Sequence, residues 1–271
     1  MSAMSFLDRL IDTFASNFAR TTLAKTDVLP ITMDIRQISI SGSNTSVYWR
    51  PLEEGDEPRL VLEKEVAGNS DEALQSCLEQ IRLEHHTSGT RQMFNVVMPS
   101  RRSSGVHNVS TRLTLYAAPE QVEDFQVQTS NGLIEVTCEF NCNLDLRSRN
   151  GRITVQSGSG TLRLSTSNGR IELGRVRLTG PSKFTTSNGM ITGHLAGLEL
   201  GEHVFETSNG RVNLRVPSNT TGSFSLTTSN GSIDFRLGNE TMSGRNISFN
   251  NGPGPSLHVR TSNGSISVTD S

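Results

Sequence analysis

The sequence predicts an all-β fold: a β-solenoid of about 20-residue coils with an N-terminal β-rich cap and a leading amphipathic helix. Three observations lead to this prediction. The dipeptide Asn-Gly recurs eight times in the second half of the chain at a nearly constant spacing. Apolar residues recur around each Asn with the period of two that β-strands have. Because the same residue types return at the same offsets, stacking the copies would place like on like.

The Asn-Gly pairs define the repeat. Successive Asn residues from Asn131 to Asn263 are separated by 19, 18, 20, 21, 21, 21 and 12 residues. The copy at Asn251 is interrupted by the segment Gly-Pro-Gly-Pro over residues 252–255, after which Thr-Ser-Asn-Gly at residues 261–264 restores the motif. Seven full copies remain, with predicted structural corners at Asn131, Asn150, Asn168, Asn188, Asn209, Asn230 and Asn263.

Strands flank each corner. An apolar residue stands four positions before each Asn, and Thr or Ser stands two positions before it. The residues three positions after the Asn are all β-branched: Ile134, Ile153, Ile171, Ile191, Val212, Ile233 and Ile266. The position five after the Asn is apolar except at Gly193. Inward positions change phase at the Asn-Gly, so we expect a turn or bulge there, with the positive φ that Asn and Gly tolerate best.

Two arrangements could use such corners. In a meander of hairpins the chain reverses at every corner, whereas in a solenoid each copy is one coil stacked on the next. The period near 20 residues leaves room for two or three strands per coil. Stacked Asn side chains can also form an amide ladder along the column. These features favour the solenoid.

The residues before the repeats are predicted to cap the column. Residues 1–26 form a helical leader, whose amphipathic helix over residues 5–20 we expect to dock on the end of the solenoid. Peripheral attachment of this helix to a membrane or a partner is the alternative. Residues 27–125 form a β-rich cap with one short helix from Asp71 to about Glu79, capped by Ser70. Residues 126–271 form the Asn-Gly repeat solenoid.

Composition excludes several classes of protein. The net charge is −2, which gives no whole-chain electrostatic argument for binding nucleic acid or membranes. The 33% hydrophobic content argues against a large multilayer α/β core. No run of 18 apolar residues that could span a bilayer is found. With three Cys and no secretion signal recognised, we expect a cytoplasmic protein.

The recurring Thr-Ser-Asn-Gly-x-Ile-x-Val/Leu motif resembles a β-strand-repeat family of unknown function. Its members occur in bacteria and fungi and are commonly labelled “putative adhesin”. The resemblance covers about residues 28–271. Many bacterial members carry Ser-Gly-Asp where this chain has Ser-Asn-Gly, so the chain looks closest to the fungal type. The resemblance implies a repeat architecture and no catalytic residues.

No cofactor and no metal site are expected. The corners lack the recurring Asp that calcium-binding repeats use. Cys138 and Cys142 have no His near them in sequence, and Cys138 continues the inward row, as a buried hydrophobic residue would. A nucleophile elbow, a P-loop and a dinucleotide motif are all missing from the sequence.

The basic side chains offer candidate binding residues. Arg152, Arg170 and Arg211 share the outward position two after the Asn, and Arg163 belongs to the same basic region. Stacked arginines could bind a polyanion. We favour a charged face that keeps the sheets soluble and prevents lateral aggregation.

The sequence is compatible with two functions. The leading hypothesis is a non-enzymatic binding or scaffold protein that presents a repetitive solenoid surface to a macromolecular partner. The alternative is a metal-free isomerase or cyclase that works by shape, for example in a secondary-metabolite pathway. Such an enzyme would use an apolar pocket at the junction of cap and column, near Tyr48, Trp49, Phe94 and Tyr116. A closed apolar cavity of about 300 Å³ there would favour the enzyme.

Overall fold

The computed structural model describes residues 21–31, 36–99 and 104–271. The predicted leader helix over residues 5–20 lies outside these residues. In the described part, two large β-sheets enclose one hydrophobic core. The prediction of an all-β solenoid is confirmed.

The N-terminal part contains seven strands, one helix and one short 3-10 turn. They are β1 (Thr21–Pro30), β2 (Gln37–Gly42), β3 (Thr45–Arg50), β4 (Arg59–Gly68), α1 (Asp71–Gln80), β5 (Arg82–Ser88), β6 (Arg91–Val97), β7 (Val106–Tyr116) and the turn Pro119–Gln121. The helix starts where the sequence predicts, because the Ser70 side chain accepts a hydrogen bond from the Ala73 amide.

The repeats contribute the remaining strands. In chain order they are β8 (Asp124–Thr129), β9 (Ile134–Asn141), β10 (Asn143–Arg147), β11 (Ile153–Gly160), β12 (Leu162–Ser165), β13 (Ile171–Leu178), β14 (Ser182–Thr186), β15 (Ile191–Leu198), β16 (Glu202–Thr207), β17 (Val212–Val216), β18 (Ser223–Thr228), β19 (Ile233–Leu237), β20 (Glu240–Gly244), β21 (Asn246–Asn250), β22 (Ser256–Thr261) and β23 (Ile266–Asp270). Each coil therefore contributes two strands: the strand before its Asn-Gly belongs to one sheet and the strand after it belongs to the other.

The first sheet has twelve strands in the order β1-β4-β7-β3-β9-β11-β13-β15-β17-β23-β19-β20. The second has eleven, in the order β5-β6-β2-β8-β10-β12-β14-β16-β22-β18-β21. Neighbouring coils pair in parallel, so the chain does not double back at each corner. Both sheets continue across residues 125–126, where the sequence suggested a boundary between cap and column.

Like residues stack in register. Ile153 lies opposite Ile134 on one side and Ile171 on the other, and all three are fully buried. Buried aliphatic side chains thus form continuous rows along the column, with the same shape repeated in each layer. This repetition explains why the inward offsets stay constant from copy to copy.

The order of the coils departs from the order of the chain at both ends. β2 and β3 form a coil that lies between β6–β7 and β8–β9. Near the other end, the coil of β22 and β23 lies between the coil of β16–β17 and that of β18–β19. The interruption at residues 252–255 lets the chain return to this inner position.

Antiparallel strands close both ends of the column. β20 and β21 cover β19 and β18, while β4 and β5 cover β7 and β6. At the N-terminal end the buried Lys64 ties elements together, because its Nζ donates to the Ile81 carbonyl at 2.7 Å and pairs with Asp27 of β1. These strands protect open sheet edges that would otherwise pair with other chains.

Candidate binding surface

The corners form one continuous ladder of side-chain amides. Each Asn donates from Nδ2 to the Oδ1 of the Asn in the preceding layer, at distances of 2.6–2.8 Å. The ladder begins at Asn44, to which Asn131 donates at 2.6 Å. It follows the spatial order of the coils, so Asn263 lies between Asn209 and Asn230. Asn251, from the Pro-rich copy, instead bonds to the backbone at Gly222 and Thr220.

The corner glycines allow neighbouring layers of the column to stack closely. The prediction that the corners have a positive φ is wrong. None of the corner glycines has a positive φ, nor does any described residue other than glycine. A Cβ added at Gly189 would overlap the carbonyl oxygen of Gly169 in the layer below. The same overlap with the neighbouring layer recurs at Gly151, Gly169, Gly210, Gly231 and Gly264. Only glycine lets the layers approach to sheet spacing at the corner.

Two arginines of the predicted row share one carboxylate. Arg152 and Arg170 lie in adjacent layers, and the Glu172 carboxylate is 3.8 Å from the first and 3.4 Å from the second. Arg211 is separated from them by Met190. Arg163 lies on the second sheet, in β12, and does not join the others. The structure therefore brings two of the four residues together and gives them one shared carboxylate.

A second basic group lies further along the same strands of the first sheet. In the strand register, Arg175 of β13 lies directly opposite His194 of β15, and His194 lies directly opposite Arg215 of β17. Arg177 lies two residues after Arg175, with its guanidinium over Gly197. All four side chains are exposed. We call Arg175, Arg177, His194 and Arg215 the basic trough.

The basic trough has no ion pairs among the described residues. Small residues surround the arginines of the basic trough, and they leave a depression in the sheet surface on each side of it. One has a volume of about 590 Å³ and is lined by Ser157, Ser159 and Ala196 beside Arg175 and Arg177. The other has a volume of about 600 Å³, lined by His194 and Arg215 and by Thr192, Gly193, Asn213 and Ser267. The trough is therefore open, concave and basic, with hydroxyl and amide groups along its walls.

This row has no constant offset in the sequence because β-bulges shift its members relative to the corners. Arg175 stands seven residues after its Asn, but His194 and Arg215 stand six after theirs. The register of β13 on β15 shifts between Leu173 and Arg175, which brings these unequal offsets side by side. A search at constant offset misses such a row. The feature of the sequence that could have indicated this site is the cluster of basic residues that includes Arg175 and Arg177.

The four residues suggested for a junction pocket do not line one cavity. Trp49 and Phe94 are buried in the core, where Trp49 packs on Phe125 at 4.7 Å between ring centroids and donates to the Ala117 carbonyl at 3.2 Å. Strand alternation turns Tyr48 and Tyr116 to the outside, beneath arginine side chains. The depression beside Tyr48 is about 230 Å³, open, and lined largely by polar residues.

The cysteines lie inside the column. Burial raises the pKa of Cys138 to about 12, and burial also raises that of Cys142 to about 12. Neutral buried thiols are poor metal ligands. In residues 21–31, 36–99 and 104–271 no three His, Cys, Asp or Glu side chains are grouped as a metal site would require. Over the same residues, no helix has the length and apolarity needed to cross a bilayer.

Several solved structures align with most of this chain. A “putative adhesin” from Bacteroides fragilis is 6% identical, with 92% of this chain and 97% of that chain aligned and a TM-score of 0.42. A “putative cell adhesion protein” from Clostridium sporogenes is 10% identical over 92% and 100% of the chains, with a TM-score of 0.35. A “putative lipid binding protein” from Parabacteroides distasonis is 8% identical over 92% and 96%, with a TM-score of 0.33.

Sequence comparison identifies the family. Curated proteins include no match to this sequence. The family model described as Toastrack DUF4097 matches residues 85–269, which is more than half of the chain. The solved neighbours named above are bacterial, and the closeness to fungal members stays a prediction. The β-strand repeat seen in the sequence is thus a family feature, and the chain belongs to the Toastrack DUF4097 family.

Proposed function

We propose that this protein is a non-enzymatic binding or scaffold protein, which uses the outer face of the first sheet to hold a macromolecular partner. The observation that carries the proposal is the basic trough, whose arginines lie exposed and without ion pairs on a broad sheet. An open surface of this kind suits an extended partner better than a small enclosed substrate.

The rigidity of the column supports the proposal. Binding costs less entropy when the contact residues are already fixed, and here the backbone beneath the trough is held by parallel pairing on both sides of β15. The rows of stacked side chains beneath it are buried. The trough therefore offers a partner a surface that needs little reorganisation.

To test the proposal, bulky side chains are introduced on the outer face of one sheet at a time. Thr192→Tyr with Asn213→Tyr places two bulky rings on adjacent strands of the outer face of the first sheet. Ser165→Tyr with Thr185→Tyr places two on adjacent strands of the second sheet as a matched control. The wild type and both variants are measured by biolayer interferometry against acidic and neutral polysaccharides, single-stranded RNA and phospholipid vesicles.

We expect at least one probe to bind the wild type and the second-sheet variant, with binding to the first-sheet variant reduced at least about tenfold. If no probe distinguishes the two faces, the proposal is wrong. The cytoplasmic location of the protein stays a prediction.

A further inference from the structure

We infer that the basic trough binds an acidic polysaccharide, with sulfate or carboxylate groups held by Arg175, Arg177 and Arg215 and with sugar hydroxyls held by the polar walls. This inference rests on the proposed function and adds to it the chemical class of the partner and the residues that recognise it.

The charges of the trough point to an anionic ligand. Elsewhere on the first sheet, outward arginines are accompanied by carboxylates, as in the pairs Arg50–Glu135, Arg112–Glu63 and Arg236–Asp234. In the trough, three guanidinium groups lie on β13 and β17 with no such partner. Guanidinium groups form bidentate hydrogen bonds with carboxylate and sulfate oxygens, and these are stronger than neutral hydrogen bonds.

The spacing of the trough suits a linear chain. Adjacent strands lie about 4.8 Å apart, so Arg175, His194 and Arg215 repeat across the strands at a distance close to the length of one sugar ring. A chain running across β13, β15 and β17 would meet one of these side chains at each step. Recognition would then repeat with the same period as the sheet.

The walls favour a sugar chain over a nucleic acid. The depressions carry the hydroxyl groups of Ser157, Ser159, Thr192 and Ser267 and the amide of Asn213, which can donate to and accept from sugar hydroxyls. Phe140 lines one of them, but it lies in the core with 1% of its surface exposed. Proteins that hold single-stranded nucleic acid generally stack bases on exposed aromatic rings. The residues lining the trough supply hydrogen bonds and charge, and their one exposed ring is the His194 imidazole; none of them is an exposed Phe, Tyr or Trp.

Two carboxylates lie near the site. Glu172 stands opposite the wall residue Thr192, but Arg152 and Arg170 share its charge. Glu139 lines the outer edge of the depression beside Arg175, two strands away in the first sheet. Its charge opposes an anionic ligand that extends in this direction. The bound chain should therefore extend past β17 toward β23, where Ser267 and Thr269 continue the wall.

The test compares two variants that lose the same charge. Arg175→Ser with Arg215→Thr alters the trough and copies residues that already stand in the adjacent layers, Ser157 and Thr269. Arg163→Ser with Arg260→Ser removes two exposed arginines from the second sheet as the control. Circular dichroism and thermal melting establish that both variants are folded. Affinity for a heparin octasaccharide is then measured across a range of salt concentrations.

We expect the trough variant to bind heparin about 100-fold more weakly, about tenfold for each arginine, and the control to stay within about threefold of the wild type. The slope of log affinity against log salt should fall by about two in the trough variant alone. Glu139→Gln should bind more tightly than the wild type. Equal losses in both double variants, or no heparin binding by the wild type, would overturn the inference.

Parallel measurements separate this inference from the proposed function. Poly-uridine RNA and vesicles of phosphatidylcholine with phosphatidylserine serve as the other probes. If either bound through the trough as tightly as heparin does, the polysaccharide assignment would be wrong and the proposed function would stand. If neither these probes nor the polysaccharides distinguished the two sheet faces, both would fail.

Discussion

At the scale of single residues, one hydroxyl group joins neighbouring layers at each corner. Thr186 Oγ1 accepts a hydrogen bond from the Gly189 amide of its own corner at 3.2 Å and donates to the Gly169 carbonyl of the layer below at 2.9 Å. The group is buried and fully used, which explains why Thr or Ser stands at this position in every full copy. The repeated hydroxyl groups are thus structural.

Gly189→Ala should destabilise the protein strongly, since its Cβ would overlap a backbone oxygen that cannot move without separating two layers. We expect a loss of about 3 kcal/mol in the free energy of unfolding, measured by urea denaturation. Gly193→Ala, in the same coil, is the control, because its Cβ would meet side chains and no backbone: the flexible end of Leu214 at 3.1 Å and Leu173 at 3.5 Å. That change should stay within about 1 kcal/mol. Equal losses would refute the close-stacking explanation.

His203 should make the column sensitive to acid. It is fully buried, its Nε2 bonds to the Glu199 carbonyl at 2.9 Å, and its Nδ1 has no partner among the described residues. Burial lowers the pKa of His203 below its ordinary value of 6.5. Above pH about 6.5 the ring is neutral in both the folded and unfolded states, so it contributes no pH dependence. Below that pH the unfolded state gains the proton first, and stability falls until the folded pKa is reached.

The measurement is urea denaturation of the wild type and His203→Leu between pH 5 and 8. Leucine is the natural replacement, because Leu257 lies directly opposite His203 in the same inward row. We expect the variant to lose part of the acid-side decrease. An unchanged pH profile would show that His203 does not cause it.

At the scale of the elements, the bulges decide which side chains meet on the surface. Inward residues near the Asn keep constant offsets because the corners fix their register, so the rows containing Ile153 and Ile171 could be predicted from sequence. Further along β13 and β15 the register shifts twice, and the basic trough depends on those shifts. A bulge leaves no fixed signal in the sequence, and its position depends on packing between layers.

Other elements show the same limit. The coil of β2 and β3 was predicted as part of the cap. It lies outside the Asn-Gly repeat, since Thr45 follows Asn44 where the repeats have Gly. Its strands nevertheless pair in register with the repeats, and Asn44 starts the amide ladder. The ladder itself could be predicted, since it needs only equal offsets and parallel stacking.

Breaking the ladder inside the column should cost more than breaking it at its end. Asn188→Ala removes two hydrogen bonds, to Asn168 at 2.7 Å and from Asn209 at 2.8 Å. Asn230→Ala removes one, to Asn263 at 2.8 Å. Because these amides are exposed, we expect losses of about 1 and about 0.5 kcal/mol in the free energy of unfolding, respectively, by urea denaturation. If Asn230→Ala cost more than Asn188→Ala, the ladder would not be the stabilising feature.

At the scale of the whole molecule, spatial order and chain order differ. In a solenoid with sequential coils, each layer contacts the layers before and after it in sequence, and a C-terminal truncation removes only the end. Here residues 256–270 supply an inner layer, with β17 on one side and β19 on the other in the first sheet. No period in the sequence shows this exchange; the Pro-rich interruption was its only sign.

Deleting residues 256–271 should therefore disorder more than one layer. Without β22 and β23, the strands β18 and β19 lose their parallel partners. We expect hydrogen–deuterium exchange to show lost protection over residues 223–250 but retained protection over β9 to β14, detected by mass spectrometry. The control is a chain of full length with Ser271→Ala. Retained protection at residues 223–250 would mean that the outer coil can stack directly on β16 and β17.

The inner position of residues 256–270 also matters during synthesis. As the chain leaves the ribosome, the strands up to β21 emerge first. Until β22 and β23 follow, the position between β17 and β19, here called the slot, stays empty or is occupied by a wrong strand. A nascent chain that closed this slot early would have to reopen it. The column can thus be completed only after translation has passed residue 270, which makes this slot the place where a chaperone would have most to protect.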